Sequence, residues 1–283
     1  MKHTYYLSLL MLLTSLVACE KESPIKAEPG KPRFEIKDSD DPVDHRIYDL
    51  YQKTGVQIVY KFDKRDYLWN LGAYTSNIPF DSLVYTTNRE DLSAGLDYLD
   101  EALLSHYSDA FKTKYFPLRL FLADSLKNTV HDELIEATVG RDYLLIGNIN
   151  AKVIRSSDAQ SKATKRGILN ALLWRFIHNN TLIEIPEEFF VPSKDYYSVF
   201  LKDEIKKTDP REYGFLAFGE YNTPTPEEDV QFFVDFITRS NREEREATLN
   251  NYGLVRSKFQ ILTSFLKKEY NVDLEKIGDT TQP

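Results

Sequence analysis

The spacing of apolar residues changes along this chain, and each change marks a segment. Residues 5–18 are mostly apolar, and residues 20–43 mix charges with four prolines. After Pro42, Ile47, Leu50 and Tyr51 have helical spacing, and Gly55 stands where a helix C-cap belongs. Val56, Ile58, Tyr60 and Phe62 then alternate, which predicts a strand over 56–62. Leu92, Leu96, Leu99 and Leu103 predict a helix over 89–107, and strands are predicted over 115–123 and 143–149. Residues 124–141 show no clear period. The second half is helical. Ile168, Leu169, Leu172, Leu173, Phe176 and Ile177 form a wide apolar stripe, so the helix predicted over 163–179 is central and buried. Thr225-Pro226-Glu227-Glu228 starts a helix that runs to about 238, with Thr as N-cap, Pro at the first position and Glu at the third. A last helix is predicted over 242–270, with Leu249, Leu254, Phe259, Leu262 and Phe265 as core candidates. The pattern predicts an α+β domain with a small mixed sheet in its first half and a helical second half. There is no internal repeat.

Cysteine usage changes the picture most. Cys19 is the only cysteine, and it closes Leu16-Val17-Ala18-Cys19 behind Lys2 and the apolar run. A positive start, a short apolar core and small residues before a cleavage point make a secretory signal. Its end resembles the lipobox of a bacterial lipoprotein, in which the cysteine becomes the N-terminus and carries the lipid. The run, roughly 14 residues, is shorter than the about 20 that span a bilayer. The expected organisation is a signal peptide over 1–18 and a lipid anchor with a disordered tether over 19–43. A single domain over 44–275 and a flexible tail over 276–283 follow. Glu20, Lys21 and Glu22 directly after the anchor resemble the surface-export signal of Bacteroidetes lipoproteins. The expected location is therefore the outer membrane, facing the cell exterior.

With Cys19 lipidated, disulfides, zinc thiolate sites and cysteine nucleophiles are excluded. Lys and Arg number 36 against 44 Asp and Glu, a formal charge of −8. An acidic chain without basic blocks argues against nucleic acid. No Gly-rich phosphate loop and no Gly-x-Ser-x-Gly elbow occurs. A glycosidase carboxylate pair has no specific signal in the sequence. Trp69, Tyr67, Tyr74, Tyr196, Tyr197 and Tyr221 are candidates for aromatic glycan platforms, although most such rings belong to cores or ordinary surfaces.

The order of elements resembles the substrate-import-associated zinc metallohydrolase lipoproteins of Bacteroidetes, a metallopeptidase family. The resemblance runs from about residue 44 to 274. It rests on the lipobox, the strand ending in Phe62, the long central helix, and Gly214-Phe215-Leu216-Ala217 leading to Pro226-Glu227-Glu228-Asp229. It closes on Tyr270-Asn271-Val272-Asp273-Leu274. It implies a zincin-like domain and, as partners, a TonB-dependent importer with its substrate-capturing lipoprotein.

In that family the central helix carries His-Glu-x-x-His. Two His four residues apart share a helical face and hold zinc, while the Glu activates water. A downstream Glu usually completes the ligand set. By this resemblance Ala171 stands for the first His, Leu172 for the catalytic Glu, Arg175 for the second His and Glu228 for the third ligand. Ala and Leu offer no lone pair, and Arg stays protonated. No two His are spaced by four; His45, His106, His131 and His178 are scattered. His131 reads as a loop residue. His178 reads as a polar residue near a helix C-terminus, favoured there by the dipole. The expectation is a degenerate domain with no zinc cofactor. Its former cleft, at Ala171, Leu172, Trp174, Arg175, His178 and Glu228, binds a peptide or glycan, or the importer. Glu228 is read either as a helix-capping residue or as an ion-pair partner of Arg175. An active zinc metallohydrolase and a purely structural importer subunit are the alternatives.

Overall fold

The first ordered helix owes its limits to two residues at its ends. In α1 (Pro42–Thr54), the Asp41 carboxylate accepts from the amides of Val43 and Asp44 at 2.9 and 3.2 Å. Gly55 ends the helix at a φ of 74°, a left-handed conformation natural to glycine. The structure, a computed structural model, describes residues 32–68, 80–86, 88–205 and 207–279, and those from 36 onward belong to one compact unit. Cys19, the signal segment, Trp69 and Tyr74 lie outside the described residues.

Strand β1 (Gln57–Val59) is shorter than the alternation predicts, although Val56, Ile58 and Phe62 are all buried. The chain then enters a short helix, α2 (Lys64–Leu68), and after residue 80 forms β2 (Ser82–Tyr85). Helix α3 (Arg89–Ala102) buries Leu92, Leu96 and Leu99 as predicted. It stops before residue 107, because Leu103 departs from helical geometry at a φ of −137° and a 3₁₀ turn follows.

The strand predicted from residue 115 begins later. Ser108 caps α4 (Asp109–Tyr115) by accepting from the Phe111 amide at 3.2 Å, and Phe111 stacks on Tyr115 four residues on. The central strand is β3 (Arg119–Asn128), followed by β4 (Glu133–Leu134), β5 (Ala137–Val139) and β6 (Tyr143–Ile146). The first half of β3 runs parallel to β1 on one side and β6 on the other. Its second half pairs antiparallel with β2 and β4, and β5 pairs antiparallel with β6. The sheet is therefore mixed. Leu120, Phe121, Leu122, Leu144 and Leu145 are fully buried, as strands covered on both faces require.

After α5 (Ala151–Ser156) comes α6 (Ala159–Asn179). It starts four residues before the predicted point because Asp158 caps it, accepting from the Ser161 amide at 2.7 Å. Leu169, Leu173 and Ile177 are buried in the core, each worth about 1.5–3 kcal/mol. A loop region with 3₁₀ turns and the single-turn α7 (Leu201–Glu204) leads to α8 (Pro226–Arg239), which packs along α6.

The helix predicted over 242–270 is two helices, α9 (Arg242–Leu249) and α10 (Gly253–Tyr270). The break between them leaves Leu254 exposed and places Val255 in the core instead. A final helix, α11 (Leu274–Asp279), runs through residues expected to form a flexible tail. Ile277 is buried, and Gly278 lies so close to α8 that a Cβ there would come within 2.3 Å of the Ile237 carbonyl oxygen. Glycine is the residue that permits this contact. Among the described residues, no helix is long and apolar enough to cross a membrane.

Candidate functional site

Helix α6 turns about 100° per residue, so Ala171 and Arg175 share a face, and Arg175 lies nearer its solvent edge. Ala171 is buried and Arg175 is exposed. Trp174 is 3% exposed, and its indole Nε1 donates to Tyr107 Oη at 3.1 Å. Tyr107 in turn donates to Asn170 Oδ1 at 2.8 Å, and Asn170 Nδ2 donates to the carbonyls of Ala102 and Arg166, both at 2.9 Å. Burial pushes the Tyr107 hydroxyl pKa up, so it remains a donor. This chain satisfies every buried polar group it contains and ties α6 to α3.

The expected groove lined by Trp174 and Arg175 is therefore not formed. Trp174 packs inward beside Phe111, with ring centroids 6.2 Å apart. Arg175 points outward and forms no ion pair with Glu228. Leu172 is half-buried against the core. His178 is half-buried and, with Trp174, Val230 and Gln231, lines a cavity of about 10 Å³. Such a space holds one water at most.

Glu228 is exposed and acts as a cap. Its carboxylate accepts from the Thr225 amide at 2.9 Å, while Thr225 Oγ1 accepts from the Glu228 amide at 3.1 Å. This is a closed capping box, and it needs no metal. The residue that reaches α6 is Gln231, three positions later. Its Nε2 donates to the Ala171 carbonyl oxygen at 3.1 Å. Sequence reasoning missed Gln231 because it aligned one acidic residue. The helical repeat supplies the signal: Gln231 lies one turn beyond Glu228, on the side of α8 that carries the buried Val230 and Val234.

These residues do not fit zinc. The position of the first ligand is a buried methyl group, and its carbonyl is already bonded. The position of the second is a guanidinium turned to solvent. Among the described residues, no three His, Cys, Asp or Glu side chains are grouped to hold an ion. His131 sits exposed in the turn between β3 and β4. His45 is exposed, and its Nδ1 lies 2.7 Å from the Asp38 carboxylate, which raises its pKa. His106 is pushed down to about 4 by burial, then by the charges of Arg166 and Lys276.

The aromatic candidates separate clearly. Tyr67 is buried beside Phe62 and Phe80. Tyr197 is half-buried and donates to Asp229 at 2.6 Å. Tyr196 and Tyr221 are exposed, and so is Phe200, which sequence reasoning did not name. Phe200 and Tyr221 lie on two chain segments that pair with each other, and Tyr196 packs on Tyr213 with ring centroids 4.8 Å apart. Phe200 bridges Asn222, Leu201 donates its amide to the Tyr221 carbonyl at 2.9 Å, and the Thr223 amide donates to the Val199 carbonyl at 2.9 Å. Tyr221 is 63% and Phe200 45% exposed.

No protein-family model matches the chain, and no curated protein matches it. A solved structure from Bacteroides caccae, described as a "putative zinc-binding metallo-peptidase", is similar, with a TM-score of 0.55 at 12% identity. The likeness covers 87% of this chain and 94% of that one. At this identity the likeness concerns the fold, and the α+β architecture described above agrees with it: the chain has a metallopeptidase-like fold.

Proposed function

We propose that this protein is a lipid-anchored outer-membrane accessory to a TonB-dependent nutrient importer, and that its metallopeptidase-like domain binds without hydrolysing. The observation that carries this reading is the closed face of α6, where Gln231 bonds to Ala171 and Trp174 bonds into the core. A zinc hydrolase needs a metal ion, an activated water and room for the substrate at that face. Here a packed interface stands in their place.

The exposed rings of Tyr196, Phe200 and Tyr221 supply binding positions outside the former cleft. Exposed apolar rings are what a sugar face or an apolar partner surface stacks on. Cys19 anchors the domain beside the importer and the substrate-capturing lipoprotein. Under this reading the lipid anchor sets where the domain works, and the exposed rings set what it holds.

The test is copurification from membranes, followed by titration with the polysaccharides and peptides that the copurified importer carries. Phe200→Ala with Tyr221→Ala is expected to abolish binding and leave thermal stability unchanged. Cys19→Ala is expected to release the protein from the membrane fraction. Turnover of any of these substrates by the purified protein would overturn the reading.

A further inference from the structure

A second feature of the fold is a buried pair of opposite charges in an aromatic cage. Lys258 of α10 and Asp229 of α8 are fully buried and touch, Nζ against Oδ2. The rings of Phe189, Tyr197, Phe215 and Phe233 surround Nζ, with centroids 4.8 to 5.5 Å away. Ser193 Oγ lies 3.2 Å and Tyr197 Oη 3.3 Å from Nζ. Tyr197 also donates to Asp229 Oδ2 at 2.6 Å, so one hydroxyl touches both charged groups. Gly214, at a φ of 82°, closes the cage; a Cβ there would meet Ser193 Oγ at 2.7 Å and Lys258 Cδ at 3.6 Å.

A buried ion pair needs its remaining lone pairs and protons satisfied. Asp229 Oδ1 has no partner. Burial pushes the Asp229 carboxyl up and the Lys258 ammonium down, against their mutual attraction. Burial works toward the neutral acid and the neutral amine, an electrophile and a nucleophile held in contact.

We propose that Lys258 Nζ and Asp229 Cγ join in an intramolecular isopeptide bond. The amine lone pair attacks Cγ, the Nζ–Cγ bond forms and the Cγ–Oδ2 bond breaks. Oδ2 leaves as water, carrying the carboxyl proton and one amine proton relayed through the Tyr197 hydroxyl. No oxidant or co-reactant is consumed. In water, ionisation of the acid and the amine opposes this condensation. Inside the aromatic cage neither ion is hydrated, and fixed contact raises the effective concentration of the reactants. The product fastens α8 to α10 covalently in a chain whose one cysteine permits no internal disulfide.

Intact-mass spectrometry of the folded mature chain is the test, with peptide mapping after proteolysis. The expected result is a mass below the sequence mass by one water, and a branched peptide joining the segments that contain Asp229 and Lys258. Asp229→Ala and Lys258→Met are each expected to restore the full mass. A folded wild-type chain at full mass would overturn the proposal. So would a water loss confined to a linear peptide, as a succinimide gives, or one that persists in either variant.

Discussion

Gln231 donates its side-chain amide to the main-chain carbonyl of Ala171 at 3.1 Å, joining α8 to α6 at the point where the family resemblance places a metal ligand. The contact explains why the helix pair is closed there. An amide serves this contact as a donor, whereas a carboxylate would face a carbonyl oxygen without a proton to share.

This relationship predicts how a metal site would be rebuilt. Ala171→His, Leu172→Glu and Arg175→His together are expected to bind zinc weakly, because the position across from residue 171 still carries an amide. Adding Gln231→Glu is expected to raise zinc affinity at least tenfold, read by competition with a chromogenic chelator. Glu228→Gln added to the same four changes is expected to leave the affinity as it is. A loss of zinc on that last change would make Glu228 the third ligand after all.

Trp174 is predicted to matter for stability and not for binding. Trp174→Ala should cost about 3–5 kcal/mol, as the loss of a large buried ring does. Trp174→Phe should cost about 1 kcal/mol, chiefly through the lost donor to Tyr107 Oη. Denaturant unfolding gives both values, and ligand titration of Trp174→Phe should match the wild type.

His106 predicts a dependence of stability on pH. Burial, then Arg166 and Lys276, lower its pKa from 6.5 to about 4 in the folded chain. The unfolded chain therefore takes up the proton first as pH falls. The stability that rests on neutral His106 is complete above pH 6.5 and is lost as pH falls through about 4. The urea midpoint of the wild type should drop across this window, and His106→Asn should flatten that part of the profile. Equal slopes in the two proteins would remove His106 as the cause.

The sequence made the helices legible where capping residues and stripes agreed. Asp41 and Gly55 bound α1 on this logic, and Thr225 with Glu228 closes the predicted capping box. Other boundaries depended on tertiary context. The strand predicted from residue 115 starts at Arg119, because Tyr115 still belongs to the helix that Ser108 caps. The break before Gly253 follows from the packing of α10, and it moves Leu254 to the surface. The candidate site was half legible. The missing zinc ligands are plain in the residue types, but the direction of each side chain is not. Arg175 follows Trp174 directly, yet it lies past the buried edge of α6. Gln231, Phe200 and the Lys258–Asp229 pair carry no local motif, since their partners are distant in sequence.

Under the proposed function, a metallopeptidase-like fold works here without its metal. The most direct measurement is the zinc content of the purified mature domain, taken by elemental analysis after equilibration with excess zinc and removal of the unbound ion. The account predicts far less than one zinc per chain and no change in thermal stability on adding a chelator. One tightly held zinc per chain, with stability lost on chelation, would contradict it.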